Sequence, residues 1–182
     1  TALKLTEIHY KPVDFVYAGD TIDGNELEFI ELKNTGPGMA DLSGLQLTGG
    51  IDYTFPPQTF LQPGQFYVVA ANSGAFFNFY GKTASGDYSQ HLSGSGERVR
   101  LSAPSGEVLF ELQYADSLPW PPLSSEDGYS IVPREINPGG DPADFSYWRR
   151  SLFFGGSPFA DDNHAFTHTE NKEKPSVIFS VY

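Results

Sequence analysis

The sequence predicts an all-β protein of short antiparallel strands, arranged as a sandwich or a barrel. Its apolar segments are short and are bounded by Gly, Pro, Asn, Asp or Ser, which is the pattern of strands separated by turns. The 19 Gly and 14 Pro are spread between these segments without a repeat, so they indicate turns rather than a disordered chain. Aromatic residues make up 15% of the chain and favour pleated surfaces.

Three strands are predicted in the first third of the chain. Residues 3–8 open the chain as a strand, and residues 26–33 form the next one. The alternation of the second strand slips by one residue between Phe29 and Ile30, which indicates a bulge or burial on both faces. Residues 45–48 alternate between polar and apolar side chains and predict a short third strand.

A buried strand and the one predicted helix follow. Residues 65–71 are nearly all apolar, which predicts a strand in the centre of a sheet. Residues 73–80 carry the helical pattern, with Ser73 as the N-cap. We expect one or two helical turns packed on an edge of the sheets. Their shared apolar face would consist of Phe76, Phe77 and Tyr80.

The second half of the sequence predicts three further strands. Residues 98–101 alternate, with their arginines facing water, and residues 107–114 form the longest strand candidate. The Pro-Ser-Gly turn signal at residues 104–106 lies between these two strands and predicts a hairpin. Residues 129–132 predict one more strand.

Charge and cysteine content exclude several classes of function. The chain has 23 Asp and Glu against 11 Lys and Arg, a net charge of −12, which disfavours nucleic-acid backbones and anionic membrane surfaces. It has no cysteine, which excludes disulfides, thiolate zinc sites and cysteine nucleophiles. No apolar run reaches the ~18 residues that span a membrane. The chain begins with Thr1 rather than Met, so we expect it to be part of a longer protein.

Several segments, taken in order, resemble the lamin tail domain family, particularly its bacterial members. Residues 5–10 resemble the opening strand of that domain, and residues 28–34 resemble its most recognisable motif: an aromatic, an apolar residue, Glu, Leu, any residue and Asn. Residues 41–47 resemble the strand that follows, with Leu45 where Trp is usual. Residues 55–56 and 61–69 resemble the next pair of elements.

The closing elements of the family have counterparts too. They are residues 118–121, residues 127–131, and Trp148 ahead of a Gly-Gly-Ser-Pro sequence at residues 155–158. Phe159 stands where the family usually has a final Gly.

The resemblance implies an immunoglobulin-like antiparallel β-sandwich over residues 1–163. Residues 164–182 would then be a linker or tail, or an extra edge strand, and residues 178–182 resemble the lead-in to a type IX secretion sorting domain. Residues 13–25 and 133–147 are long departures from the family pattern and are interpreted as loop insertions. In the family motif, Glu31 is a structural acceptor that caps nearby backbone amides.

The best candidate for a metal site surrounds Gly24. Asp20, Asp23, Asn25 and Glu26 offer oxygen donors of the kind that Ca²⁺ takes. The alternative is an Asp-Gly-Asn turn that satisfies its own backbone. Calcium is therefore a candidate ligand and no other cofactor is expected.

Aromatic and acidic side chains supply the other candidates. Phe15 and Tyr17, in the first inserted loop, are predicted to be exposed rings of a binding surface. Trp120 and Trp148 would be either sugar-stacking platforms or core packing, and the family pattern favours packing. A catalytic pair would need Glu28 and Glu31 on one face, whereas residues three apart on a regular strand point to opposite faces. We therefore expect no enzyme activity.

The sequence as a whole predicts a monomeric, non-catalytic interaction or structural module. The bacterial resemblance implies that it belongs to a larger secreted or cell-surface protein and binds a protein or cell-envelope partner. The alternative is a carbohydrate-binding accessory domain of a secreted hydrolase, stabilised by calcium. A planar row of exposed aromatic rings would favour the alternative.

Overall fold

The computed structural model describes residues 2–163. The strands, in chain order, are β1 Leu3–His9, β2 Phe15–Tyr17, β3 Asp20–Ile22, β4 Phe29–Asn34, β5 Ala40–Asp41, β6 Gln46–Gly49, β7 Tyr53–Thr54, β8 Phe60–Leu61, β9 Phe66–Ala70, β10 Gly86–Asp87, β11 Arg98–Ser102, β12 Val108–Gln113, β13 Ile131–Pro133 and β14 Trp148–Arg150. Helix α1 spans Ser73–Tyr80, and two 3₁₀ helices span Gly24–Leu27 and Phe145–Tyr147.

Two sheets build the predicted sandwich. The larger has six strands in the order β10-β9-β4-β1-β13-β14, and the smaller has four in the order β12-β11-β6-β7. All neighbours are antiparallel except β10, which runs parallel to β9. Two short two-stranded ribbons, β2-β3 and β5-β8, complete the described part of the chain. The prediction of an all-β, immunoglobulin-like sandwich is confirmed.

The main core lies between the two sheets. The inner face of the six-stranded sheet contributes Leu5, Ile30 and Leu32, and the four-stranded sheet contributes Val99 and Leu101. All five are buried, as expected where two sheets pack face to face and every second residue of each strand points inward.

The seven predicted strands are found, with two corrections. The predicted hairpin is confirmed, since β11 and β12 pair with Leu101 opposite Phe110. The alternation slip near Phe29 reflects burial on both faces, because every residue of β4 is buried. The bulge lies instead in β1, where the register shifts between Leu5 and Glu7. Glu26 and Leu27, expected in the strand, belong to the first 3₁₀ helix.

Helix α1 occupies the predicted residues but differs in its cap, in its buried face and in its position, since it packs on a face of the six-stranded sheet and not on an edge. Asn72, not Ser73, is the N-cap, and its Oδ1 accepts from the backbone N–H of Gly74 and of Ala75 at 2.9 and 3.0 Å. The Phe77 side chain is 54% exposed, so the prediction that Phe77 belongs to the buried face of the helix is wrong. The buried face consists of Ala75, Phe76 and Phe79.

The outer face of the six-stranded sheet is covered too. Helix α1 packs Phe76 against Phe29, with ring centroids 5.7 Å apart. The rest of this face is covered by residues 151–163, which we call the closing segment. Phe159, in the closing segment, keeps a positive φ of 62° where the family usually has Gly, and its ring contacts Phe76.

No helix within residues 2–163 is long and apolar enough to cross a membrane. The expectation of a linker, tail or edge strand at residues 164–182 lies outside the described residues.

Candidate functional site

Two buried carboxylates of the outer sheet face hold the closing segment. Glu31, on β4, accepts from the backbone N–H of Phe159 at 2.6 Å and from the hydroxyl of Thr6 at 2.8 Å. Glu7, on β1, lies opposite Glu31 in the register. It accepts from the backbone N–H of Ser157 at 3.0 and 3.2 Å and from the hydroxyl of Ser130. The prediction that Glu31 accepts from nearby backbone amides is thus confirmed.

The two glycines before Ser157 let the backbone approach Glu7. Gly155 and Gly156 have φ values of 77° and 78°, in the region that side chains disfavour. A Cβ on Gly156 would lie 2.0 Å from Oε1 of Glu7. Both glycines are therefore required by backbone conformation, and Gly156 also by its close contact with the Glu7 carboxyl group.

Two ion pairs fix the end of the closing segment. The Lys33 ammonium lies 2.5 Å from Oδ1 of Asp161, and the Arg149 guanidinium lies 2.6 Å from Oδ1 of Asp162. Asp162 also accepts from the backbone N–H of Leu152 at 3.0 Å. Because these charges are partly or wholly buried, the pairs are screened less by solvent than exposed ones.

Burial makes both carboxyl groups weak acids. It raises the pKa of Glu7 to about 8, and the hydrogen bonds from Ser130 and Ser157 offset only part of this shift. Burial and the neighbouring Glu7 charge raise the pKa of Glu31 well above its ordinary value of 4.5. Burial therefore disfavours the ionised form of both carboxyl groups.

The third buried glutamate of this region, Glu28, serves a different loop. Its Oε2 accepts from the backbone N–H of Leu92 at 2.7 Å and the Tyr88 hydroxyl at 3.3 Å, and it lies 3.4 Å from Nδ1 of His91. Burial raises its pKa to about 7. Glu28 and Glu31 share no hydrogen-bond partner within residues 2–163, so the two acids hold different segments of the chain.

The predicted binding loop contributes less surface than expected. Phe15 is only 6% exposed and packs edge-on against Phe79 of α1, with centroids 5.1 Å apart. The expectation of an exposed Phe15 is wrong, because the β2-β3 ribbon folds its first apolar residue onto the helix. Tyr17 is 46% exposed.

The predicted calcium ligands do not converge. Asp23 caps the first 3₁₀ helix by accepting from the N–H of Asn25 at 2.9 Å, and Glu26 accepts from the Asn72 side chain at 2.7 Å. Asp20 lies in β3, before that turn. Within residues 2–163 no three His, Asp or Glu side chains come together as metal ligands. The geometry of Asp23 is that of the alternative prediction, a turn in which the Asp side chain accepts from a nearby backbone N–H.

The two tryptophans pack rather than form a platform. Trp148 is fully buried and Trp120 nearly so, with ring centroids 6.3 Å apart. The indole N–H of Trp148 donates to the carbonyl of Pro142 at 2.9 Å. The preference for core packing over sugar stacking agrees with this arrangement.

A groove of about 430 Å³ runs over these tryptophans, along edge strand β14. Leu118 on its rim is 82% exposed and Phe145 is 46% exposed. We call it the arginine groove, because three of its lining side chains are arginines. Its lining residues are Leu118, Pro119, Trp120, Pro121, Pro122, Arg134, Phe145, Trp148, Arg149 and Arg150.

Sequence reasoning did not find the arginine groove. Trp120 between prolines and the Trp-Arg-Arg sequence at residues 148–150 were visible as separate signals. Phe145 and Arg134 lie in an insertion, where no pattern placed them beside Trp120. The pairing of β13 with β14 and the packing of Trp120 against Trp148 bring them together.

Comparison with known proteins supports the resemblance seen in the motifs. A family model described as Lamin Tail Domain matches residues 1–116. No curated protein matches the chain. Beyond the matched residues, β13 pairs with β1, and the closing segment hydrogen-bonds to Glu7 and Glu31. Since the family model covers more than half of the chain, this protein belongs to the lamin tail domain family, a family of immunoglobulin-like interaction domains.

Proposed function

We propose that this chain is a non-catalytic interaction module of a larger secreted or cell-surface protein, and that it holds a protein partner of the cell surface or envelope in the arginine groove. The observation that carries the proposal is the exposed apolar rim of Leu118 and Phe145 over a rigid floor of two packed tryptophans. Interaction sites place apolar anchors on such rigid supports.

The roles of the buried acids support the non-catalytic part of the proposal. Glu7, Glu28 and Glu31 each accept from at least one backbone amide and are shielded from solvent. A catalytic acid must instead reach a substrate atom within hydrogen-bond distance. The secreted or surface location rests on the resemblance of the sequence motifs to bacterial members of the family.

Site-specific photo-crosslinking in the cells that produce the protein tests the proposal. A benzophenone amino acid replaces Leu118, and the matched control places it at Val16, which is 69% exposed in the β2-β3 ribbon. We expect a discrete protein adduct from position 118 and none from position 16. An adduct only from position 16, or from neither, contradicts the proposal. Protease added to intact cells tests the location, since a surface module is cleaved without lysis.

A glycan array and a calcium titration test the alternative function. The exposed rings Tyr17, Phe60, Phe77 and Phe145 make no ring contacts with one another within residues 2–163. Retention of a glycan that is lost on Tyr17→Ala would support the alternative instead. A melting temperature unchanged by millimolar Ca²⁺ and by EDTA would remove calcium from it.

A further inference from the structure

The arginine groove is a basic surface on a strongly acidic chain. Three of the 11 Lys and Arg residues line it, and no Asp or Glu within residues 2–163 does. A surface of opposite sign to the net charge of −12 attracts a ligand that the rest of the molecule repels. The charge pattern therefore favours an acidic occupant.

Two of the three arginines are available to such an occupant. Arg149 already forms the ion pair with Asp162. Arg134 donates through Nε to the Ser146 carbonyl at 2.9 Å, and Arg150 lies over the Tyr129 ring, 4.3 Å from its centroid. Both are exposed, and neither takes part in an ion pair within residues 2–163.

The same groove runs along a strand edge that has no strand partner within residues 2–163. Strand β14 is the last strand of the six-stranded sheet. Tyr147 and Ser151 turn their backbone groups toward the β13 side, since Tyr147 accepts from the N–H of Arg134 and Ser151 donates to the carbonyl of Ser130. The alternation of an antiparallel ladder then points the Trp148 carbonyl and the Arg150 N–H away from β13. These two groups can pair with one residue of an added strand.

The apolar rim suits an extended chain in this position. Leu118, Pro119 and Phe145 line the groove, so side chains of an added strand meet apolar surface as well as guanidinium groups. In strand addition, main-chain hydrogen bonds supply affinity and the flanking side-chain contacts supply specificity.

We propose that the arginine groove binds an extended, acidic peptide segment of the partner, which adds to β14 as a further strand. The proposal rests on the proposed function and specifies the chemistry of its partner. Arg150 and Arg134 face the carboxylates of the peptide, while its backbone pairs with Trp148 and Arg150. The opposing interpretation is that the arginines only protect a sheet edge from nonspecific pairing, as charged edge residues commonly do.

Tryptophan fluorescence of the intact chain reads out binding without a label, because the only two tryptophans, Trp120 and Trp148, both line the groove. The probe is a synthetic peptide of alternating Glu and Val, and its matched controls are the same peptide with Lys in place of Glu and the Glu peptide with N-methylated alternate amides. We expect saturable binding of the Glu peptide that weakens with salt, and loss of binding for both controls.

Charge-reversal variants locate the contact. Arg150→Glu and Arg134→Glu should each weaken binding by roughly tenfold, because each replaces an attraction with a repulsion. Arg98→Glu, which reverses an exposed arginine of β11 outside the groove, should leave binding unchanged. Circular dichroism confirms that the variants remain folded.

Several outcomes overturn the proposal. They are absence of binding by the Glu peptide, equal binding by the Lys peptide, or equal weakening by Arg98→Glu. Self-association of the chain that Arg150→Glu abolishes would assign the edge to a second copy and overturn it too. Failure of the peptide alongside a specific crosslink from Leu118 leaves the proposed function intact and rejects only the acidic strand, so the two failures are distinguishable.

Discussion

The two faces of the six-stranded sheet are covered in different ways. The inner face packs apolar side chains such as Leu5 and Leu32 against the second sheet. The outer face carries an apolar patch around Phe29 and, beside it, the buried carboxyl groups of Glu7 and Glu31, which hold the closing segment. The inner face is thus held by burial of apolar area and the outer face by directional hydrogen bonds.

This difference assigns different tasks to the two faces. Apolar burial is nondirectional and stabilises the sandwich as a whole. Hydrogen bonds to Glu7 and Glu31 fix particular backbone atoms, and Asp162 at the end of the same segment fixes Arg149 of the arginine groove. The outer face therefore positions the surface that we propose to be functional.

Shortening a side chain of the inner face should lower the free energy of unfolding more than any other change considered. Leu32→Ala removes a fully buried side chain from the main core and should lower the free energy of unfolding by about 2–5 kcal/mol. Leu118→Ala is the matched control, since its exposed side chain should change stability by less than about 0.5 kcal/mol. Urea denaturation measures both. Equal effects would show that the sandwich is packed differently.

Removing an outer-face acceptor should cost somewhat less. Glu31→Ala leaves the Phe159 N–H without its buried acceptor and the Thr6 hydroxyl with only the Glu31 backbone carbonyl, which should lower stability by about 2–3 kcal/mol. Glu31→Gln keeps a neutral acceptor and should lower the free energy of unfolding by only about 1 kcal/mol. If the two variants were equally stable, the hydrogen bonds would contribute nothing to holding the closing segment.

A pair of glycine variants separates backbone strain from close packing. Gly64 and Gly156 both have a φ of 78°, but a Cβ on Gly64 meets open space, whereas one on Gly156 meets the Glu7 carboxylate. Gly64→Ala should cost about 1 kcal/mol for the left-handed conformation alone. Gly156→Ala should cost about 1 kcal/mol or more beyond that for the forced displacement. Equal melting temperatures would contradict the close approach of the closing segment to Glu7.

At pH 5, Glu7→Gln should change the free energy of unfolding less than the other variants do, because the Glu7 carboxyl group is neutral at this pH in the folded protein. Its raised pKa means that the folded chain binds more protons than the unfolded chain from about pH 4.5 to 8, so ionisation lowers stability as the pH rises. Glu28 acts in the same direction, up to about pH 7.

Denaturation from pH 7 to 8 measures this contribution. Burial lowers the pKa of His9 to about 3. His9 therefore raises the free energy of unfolding with increasing pH only up to its ordinary pKa of 6.5, and it adds little between pH 7 and 8. Wild-type stability should fall from pH 7 to 8, and Glu7→Gln should show a smaller decline. Identical slopes in the two proteins would contradict a largely protonated Glu7.

The inner face could be predicted from the sequence and most of the outer face could not. Alternation located β11, where Val99 and Leu101 are buried, and a nearly all-apolar run located β9. The 150-residue separation between Glu7 and Ser157 carries no such period. The resemblance did supply the acceptor role of Glu31. The arginine groove depends on the packing of Trp120 against Trp148, which no local pattern encodes.

Amide hydrogen exchange of the closing segment tests the central claim most directly, that buried carboxyl groups fasten this segment to the outer face. We expect the Ser157 and Phe159 amides of the wild-type chain to be protected about as strongly as those of β11. In Glu31→Ala, which removes the acceptor, the Phe159 amide should exchange faster while the β11 amides stay unchanged. Exchange of both closing-segment amides at the rate of an open loop in the wild-type chain would contradict the account.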